Sequence, residues 1–213
     1  MAKSPPDFNA SASGTGYLYQ IRCALLWLLD ADDDAAVSLE KSDDVTFEKD
    51  GSPEEKLQTK HHIDRTASLT DASADLWKTI RVWSEDVFHG RLTATTRLAL
   101  VTTGVAPSGS IAAMLKSKSE YRDEPTALAR LNDVSTKSEN ESLKSAFSAF
   151  NLLTDDLKKN LVSRIRVLDA VQDIQGVGHE VCSRLRVAAD QNKRAIFNNA
   201  AEGWWFKRIV VQW

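Results

Sequence analysis

Asp44, Gln58 and Lys60 are the residues whose types and spacing point to chemistry. Two of them lie in "KLQTK" (56–60). Strand alternation puts Gln58 and Lys60 on one face, roughly 6.5–7 Å apart, and Leu57 and Thr59 on the other. Asp44 opens "DVTFE" (44–48), where Val45 and Phe47 alternate with Asp44, Thr46 and Glu48. Between the two runs, "KDGSP" (49–53) supplies Asp-Gly and Pro for a turn. The resulting hairpin can set Asp44 opposite Gln58 and Lys60, and a one-residue slip would exchange Asp44 for Asp43. An acid, an amide and a lysine so arranged suit phosphodiester hydrolysis. That reaction needs a divalent cation to polarise the phosphate and lower the pKa of an attacking water. Hard oxygen ligands suit Mg²⁺, which takes one or two carboxylates and keeps several waters. A nearby lysine orients the water or stabilises developing negative charge. The backbone carbonyl of Thr59 is a further candidate ligand. Taken alone, the Gln-x-Lys spacing is a weak signal that usually marks a solvated strand face.

The elements that must position these residues follow from periodicity. Residues 14–30, "GTGYLYQIRCALLWLLD", predict a helix with Leu18, Ile21, Leu25 and Leu28 as its apolar stripe. Gln20 falls on another face of that helix and is a candidate to point into the site. "VSLE" (37–40) predicts a strand ending on Glu40, with strands at 44–48 and 56–60 after it. Thr70 or Asp71 can cap the next helix, whose Leu76, Ile80, Trp83 and Val87 recur at helical spacing. "TRLALVTTG" (96–104) predicts a strong apolar strand, then a turn into a short helix. Helices are expected around 124–134, 139–151, 154–163 and 177–190 and at the end of the chain. A strand is expected within 163–170, burying Ile165, Val167 and Leu168. This order predicts an α/β sandwich with a mixed central sheet and a helical C-terminal part. Residues 1–13 read as a flexible tail.

Composition sets bounds rather than identity. The chain has 213 residues, 42% hydrophobic and 27% charged, enough for one good core. Its net charge of −3 excludes a protein that coats nucleic acid by bulk charge, but not an enzyme with a local positive groove. Cys23 and Cys182 lie in apolar helical contexts and read as reduced cysteines of a cytoplasmic protein. "ALLWLL" is too short to span a bilayer, so no membrane is expected. His61 and His62 have no Cys or His partners at zinc-site spacing. They contact phosphate or are simply exposed. Trp77 and Trp83 are base-stacking candidates, although tryptophans at helical spacing are more often core. "GVGHE" (176–180) lacks the lysine and preceding strand of a phosphate loop and reads as a helix start. The apolar "GWWFKRIVVQW" (203–213) predicts packing against another subunit or further chain.

The motifs extend beyond the hairpin. "GYLYQ", "LEKSDDVTF", "LQTK", "LWKTIRVW", "LVTTG" and "GWW" follow one another along the chain. In that order they resemble the PD-(D/E)XK nuclease superfamily in its Q-x-K variant. Within it they resemble the double-stranded DNA endonuclease domain of CBASS effectors (the CD-NTase-associated nuclease). Related domains occur in Avs-type and ABC three-component defence systems. The resemblance covers residues 14–213 and is strongest over 14–104.

The resemblance implies a restriction-endonuclease-like core that cleaves double-stranded DNA with little sequence specificity in anti-phage defence. It implies Mg²⁺ or Mn²⁺ as cofactor. It carries the motif aspartate onto Asp44, the acid-or-glutamine position onto Gln58 and the catalytic lysine onto Lys60. Glu40 and Gln20 match secondary positions. The implied metal ligands are Asp44, Gln58, the Thr59 carbonyl and Glu40. Arg65, Lys78 and Arg81 flank the site and are candidates to track the DNA backbone, with a solvated helix face as the equal alternative. The family's sensor domain has no counterpart in this sequence, so a sensor domain or subunit is an expected partner. A homo-oligomer or larger complex is expected too. The departure is Gln58, a neutral amide that removes one negative charge from the site and weakens metal binding unless Glu40 compensates. A catalytically weak scaffold of the same fold is the competing expectation.

Overall fold

A computed structural model describes residues 10–31, 36–39, 44–49, 52–60, 67–116 and 122–211. Helix α1 (Ala10–Asp30) leads into strands β1 (Ala36–Leu39), β2 (Asp44–Lys49) and β3 (Ser52–Lys60). Helix α2 (Ala74–Phe88) and strand β4 (Arg97–Thr102) follow. Then come α3 (Ile111–Met114), α4 (Glu124–Lys137), α5 (Lys144–Asn151), α6 (Asp155–Arg164) and β5 (Ile165–Leu168). The described chain closes with α7 (Ile174–Leu185) and α8 (Arg194–Val211). The expected α/β class with a mixed sheet flanked by helices is what forms.

Strand order follows the chain, β1-β2-β3-β4-β5. The first three strands are antiparallel, and β3, β4 and β5 are parallel. Antiparallel neighbours need only tight turns, whereas parallel ones need crossovers. Helix α2 supplies the first crossover, and α3 to α6 supply the second.

Two cores lie on opposite faces of the sheet. On one, Ile21, Ala24 and Leu25 of α1 pack with Val45, Leu57, Ala99 and Val101, and α8 adds Trp205 and Ile209. On the other, Leu98 and Leu100 pack with Leu76, Trp77, Ile80 and Trp83 of α2 and with apolar residues of α3 to α6. Every second residue of β4 therefore serves a different core, which is why its sequence is continuously apolar.

Several details differ from the sequence expectations. Helix α1 starts at Ala10, not Gly14, so part of the expected tail is helical. Each added residue extends a helix by one hydrogen bond, and Ala10 and Ala12 favour it. Leu18 is exposed rather than part of the stripe. The second buried side of α1 is instead Tyr19 and Cys23, packed with Val177 of α7. Burial pushes the Cys23 thiol up to about 12, as an inert core cysteine requires. Leu168 ends the last strand of the sheet and is exposed, while Ile165 and Val167 are buried.

Ser73, not Thr70 or Asp71, caps α2, its hydroxyl accepting from the Leu76 N–H at 3.3 Å. Asp71 instead accepts from the Ile111 N–H at 2.7 Å and holds Arg130 at 3.2 Å, tying the start of α2 to α3 and α4. "GVGHE" lies inside α7, whose N-cap Asp173 accepts from Gln175 and Gly176. Among the described residues, no helix is long and apolar enough to cross a membrane.

Trp77 and Trp83 are 0% and 1% exposed, so neither is available to stack on a base. The Trp77 indole donates to the Asp71 carbonyl at 2.7 Å and meets Phe147 edge-on at 4.7 Å. Trp77→Ala is expected to cost about 3–5 kcal/mol of stability, read as a lowered urea midpoint. A loss below about 1 kcal/mol would contradict this packing.

Candidate active site

The hairpin register places Asp44 directly opposite Gln58, with Val45 opposite Leu57 and Thr46 opposite Lys56. This is the register in which Asp44, not Asp43, pairs with the glutamine. On the far side of β3, Gln58 neighbours Leu100 and Lys60 neighbours Thr102. Among the described residues the β2–β3 ladder ends at Asp44 and Gln58, while β3–β4 runs on to Lys60 and Thr102. The three positions thus gather where β2 begins and where the parallel strands β3 and β4 end. Carboxyl ends of parallel strands are the usual location of ligand sites in open α/β sheets.

Direct contacts show which face they occupy. Lys56 reaches α2, its ammonium 2.8 Å from Asp86 Oδ2, with side chains 6% and 8% exposed. Leu57 packs with α1. Alternation along β3 then gives Gln58 and Lys60 to the α2 face and Thr59 to the α1 face. Gln58 is 1% exposed, and Lys60 is half-buried. Gln58, Thr59 and Lys60 are thus held by a central strand rather than a loose surface hairpin.

The "LVTTG" segment closes this end of the sheet. The Thr103 N–H donates to the Lys60 carbonyl at 3.2 Å, and the Thr102 hydroxyl accepts from the Gly104 N–H at 3.0 Å. Residues 67–69 pack alongside, with Val105 N–H donating to the Ala67 carbonyl at 2.8 Å. A Cβ on Gly104 would lie 3.0 Å from the Ala67 oxygen and 3.3 Å from the Ala67 Cβ. Glycine gives that approach room, since any Cβ there would be tighter than ordinary van der Waals contact.

The other expected site residues have different placements. Gln20 is 1% exposed on α1, which covers the opposite face of the sheet from Gln58 and Lys60. Its Nε2 is buried without a hydrogen-bond partner. Lys78 is exposed, on the side of α2 away from its core stripe. Arg81 is half-buried and lies 3.9 Å from Glu85. Glu40, His61, His62 and Arg65 lie outside the described residues, as does the side chain of Asp44.

What the sequence expectations missed is the polar interior between α2 and β3. Asp86 accepts from Lys56 at 2.8 Å and from Arg91 Nε at 2.7 Å. Thr79 Oγ1 and Trp83 Nε1 on the same helix are buried without hydrogen-bond partners. The available signal was the lysine at two-residue spacing before Gln58, which shares its face.

The donor set fits a hard divalent cation by type. Asp44 would bring a carboxylate, Gln58 an amide oxygen and Thr59 a carbonyl. Among the described residues, no three His, Cys, Asp or Glu side chains form a ready cluster.

Removing Asp86 takes away the carboxylate that lies 2.8 Å from the buried Lys56 ammonium. Asp86→Ala is expected to cost about 3–5 kcal/mol. Lys56→Ala is expected to cost less, because Arg91 still neutralises Asp86. Urea unfolding of the two variants checks the order, and the reverse order would show that Arg91 does not neutralise Asp86 once Lys56 is gone.

No family model matches the chain, and no curated protein matches it. Solved structures of similar shape exist. The Cap4 SAVED/CARF-domain containing receptor of Moraxella osloensis aligns with a TM-score of 0.51 at 16% identity, over 92% of this chain and 43% of that one. The Cap4 SAVED/CARF-domain containing receptor of Acinetobacter baumannii aligns at 0.49 and 10% identity, over 99% of this chain and 44% of that one. The chain spans less than half the length of these structures. The Moraxella alignment identifies a shared fold.

Proposed function

We propose that this chain is a metal-dependent DNA endonuclease of the PD-(D/E)XK type, acting as the effector domain of a bacterial anti-phage defence system. One observation carries the reading. The β2–β3 register puts Asp44 opposite Gln58, and Lys60 follows two residues later on the same sheet face. The defence setting is supported by the motif resemblance and by the fold shared with a Cap4 receptor.

Asp44, Gln58 and the Thr59 carbonyl would hold Mg²⁺ or Mn²⁺, with Glu40 as a further carboxylate. The bound cation would polarise the scissile phosphate and acidify an attacking water. Lys60 would place its ammonium beside the phosphate, where it offsets the charge that develops as the water attacks. The central position of β3 keeps Gln58 and Lys60 aligned without a loop movement. Contacts to the DNA backbone would act without reading sequence. Lys78 and Arg81 are the described candidates for such a contact. Sensing would belong to a further domain or subunit.

A second reading, a catalytically weak nuclease-fold scaffold, is favoured by the neutral, nearly inaccessible Gln58. Supercoiled plasmid incubated with Mg²⁺, with RNA in parallel, separates the two. The nuclease reading expects nicking and linearisation of DNA. It expects Lys60→Ala to lower the rate by about 10²–10³-fold with an unchanged melting temperature. It also expects Gln58→Glu to cut at a lower Mg²⁺ concentration, because the added carboxylate restores charge to the site. Undiminished cutting by Lys60→Ala would remove the assignment, and no cutting by any variant would favour the scaffold.

A further inference from the structure

The C-terminal end of the described chain differs in charge from the remainder. Residues 184–211 hold six cations (Arg184, Arg186, Lys193, Arg194, Lys207 and Arg208) against two acids, in a chain of net charge −3. Elsewhere, several cations are paired with acids. Arg22 pairs with Glu202, Arg91 with Asp86, Lys116 with Asp169, Arg122 with Glu124 and Arg130 with Asp71. By contrast, Arg186, Lys193, Lys207 and Arg208 are exposed and have no carboxylate partner among the described residues. Arg194 Nε donates only to the Arg186 and Ala189 carbonyls, at 3.2 and 3.3 Å.

These cations share their face with apolar groups. Trp205 and Ile209 turn inward, the Trp205 indole donating to the Ile21 carbonyl at 2.9 Å. The outward stripe, followed at helical spacing, runs Lys193, Ile196, Phe197, Ala200, Trp204, Lys207, Arg208, Val211. Trp204 is 59% exposed. From Ile196 to Arg208 the stripe extends about 18 Å. Its first half lines an open groove of about 990 Å³ together with Arg186, Val187 and one acid, Asp190.

We propose that this groove and the outer face of α8 bind single-stranded nucleic acid, with phosphates on the unpaired cations and bases against Trp204 and Phe197. Charge complementarity selects a polyanion. Sequence-tolerant single-strand sites combine a positive groove with exposed aromatic rings on which bases stack. A self-association of α8 with α8 would instead bring these cations against one another. On a membrane-surface helix the cations segregate to a face opposite the apolar one, whereas here the two interleave on a single face. The proposal stands independently of the nuclease reading, because this surface lies on the α1 side of the sheet and away from Gln58 and Lys60.

Fluorescence anisotropy tests it, using the whole chain in EDTA with a labelled twelve-residue oligo-dT, the corresponding duplex, and anionic phosphatidylglycerol vesicles as competitor. Oligo-dT is expected to bind more tightly than duplex. Its affinity should fall at least about tenfold between about 50 and 200 mM salt. The double variant Lys193→Glu/Lys207→Glu is expected to lower affinity at least about tenfold, since each phosphate contact adds to the salt-dependent term. Trp204→Ala is expected to lower it at least about fivefold, and Trp204→Phe to restore most of that loss. The anisotropy is read in EDTA, where metal-dependent cleavage is off, so a failure of this proposal leaves the plasmid test of the catalytic reading unaffected. Binding unaffected by the charge reversals, tighter binding of duplex with no effect of Trp204→Ala, or displacement of oligo-dT by vesicles would each overturn the proposal.

Discussion

A lysine buried between a helix and a sheet must be neutralised, and in this fold that requirement orients everything around it. Lys56 lies on β3 with its ammonium against Asp86 of α2, and both side chains are nearly inaccessible. Desolvation makes a misplaced charge here costly, so β3 is held to one register and one facing. From Lys56, strand alternation decides the rest. Leu57 enters the core beneath α1, and Gln58 and Lys60 return to the face of α2. A one-residue slip would bury Leu57 against Asp86 and send Gln58 and Lys60 toward α1.

The same constraint places the candidate chemistry at the mouth of the sheet. Because β2 begins at Asp44 and pairs it with Gln58, the strand ends bring one acidic and one amide position together. Lys60 extends past that pair along β4, where the Thr102–Gly104 turn and residues 67–69 close the backbone. Glycine at 104 is part of this arrangement, since a Cβ there would press on the Ala67 carbonyl. A central strand thus carries both the amide and the lysine.

Much of this was legible from residue order. The alternation in "DVTFE" and "KLQTK" and the turn between them specified the hairpin, and the continuous apolar run "RLALV" announced a strand buried on both faces. The face to which Gln58 belongs was not legible. It depends on which helix covers which side, and that was settled by Asp86, thirty residues beyond Lys56. Helical spacing set Gln20 apart from the apolar stripe of α1, and it is buried there all the same. Leu18 looked like part of the apolar stripe because periodicity cannot reveal that α7 would claim a second side of α1. The C-terminal run was apolar enough to be noticed, yet its division into an inward Trp205 and an outward Trp204 required the helix to be docked.

The central claim is that Asp44, not a more distant acid, anchors a divalent cation beside Gln58. Mn²⁺ titration followed by electron paramagnetic resonance measures this without reference to cleavage. The account predicts one bound ion in the wild type, loss of that ion in Asp44→Asn, and its retention in Lys60→Ala. Equal binding by wild type and Asp44→Asn would contradict it.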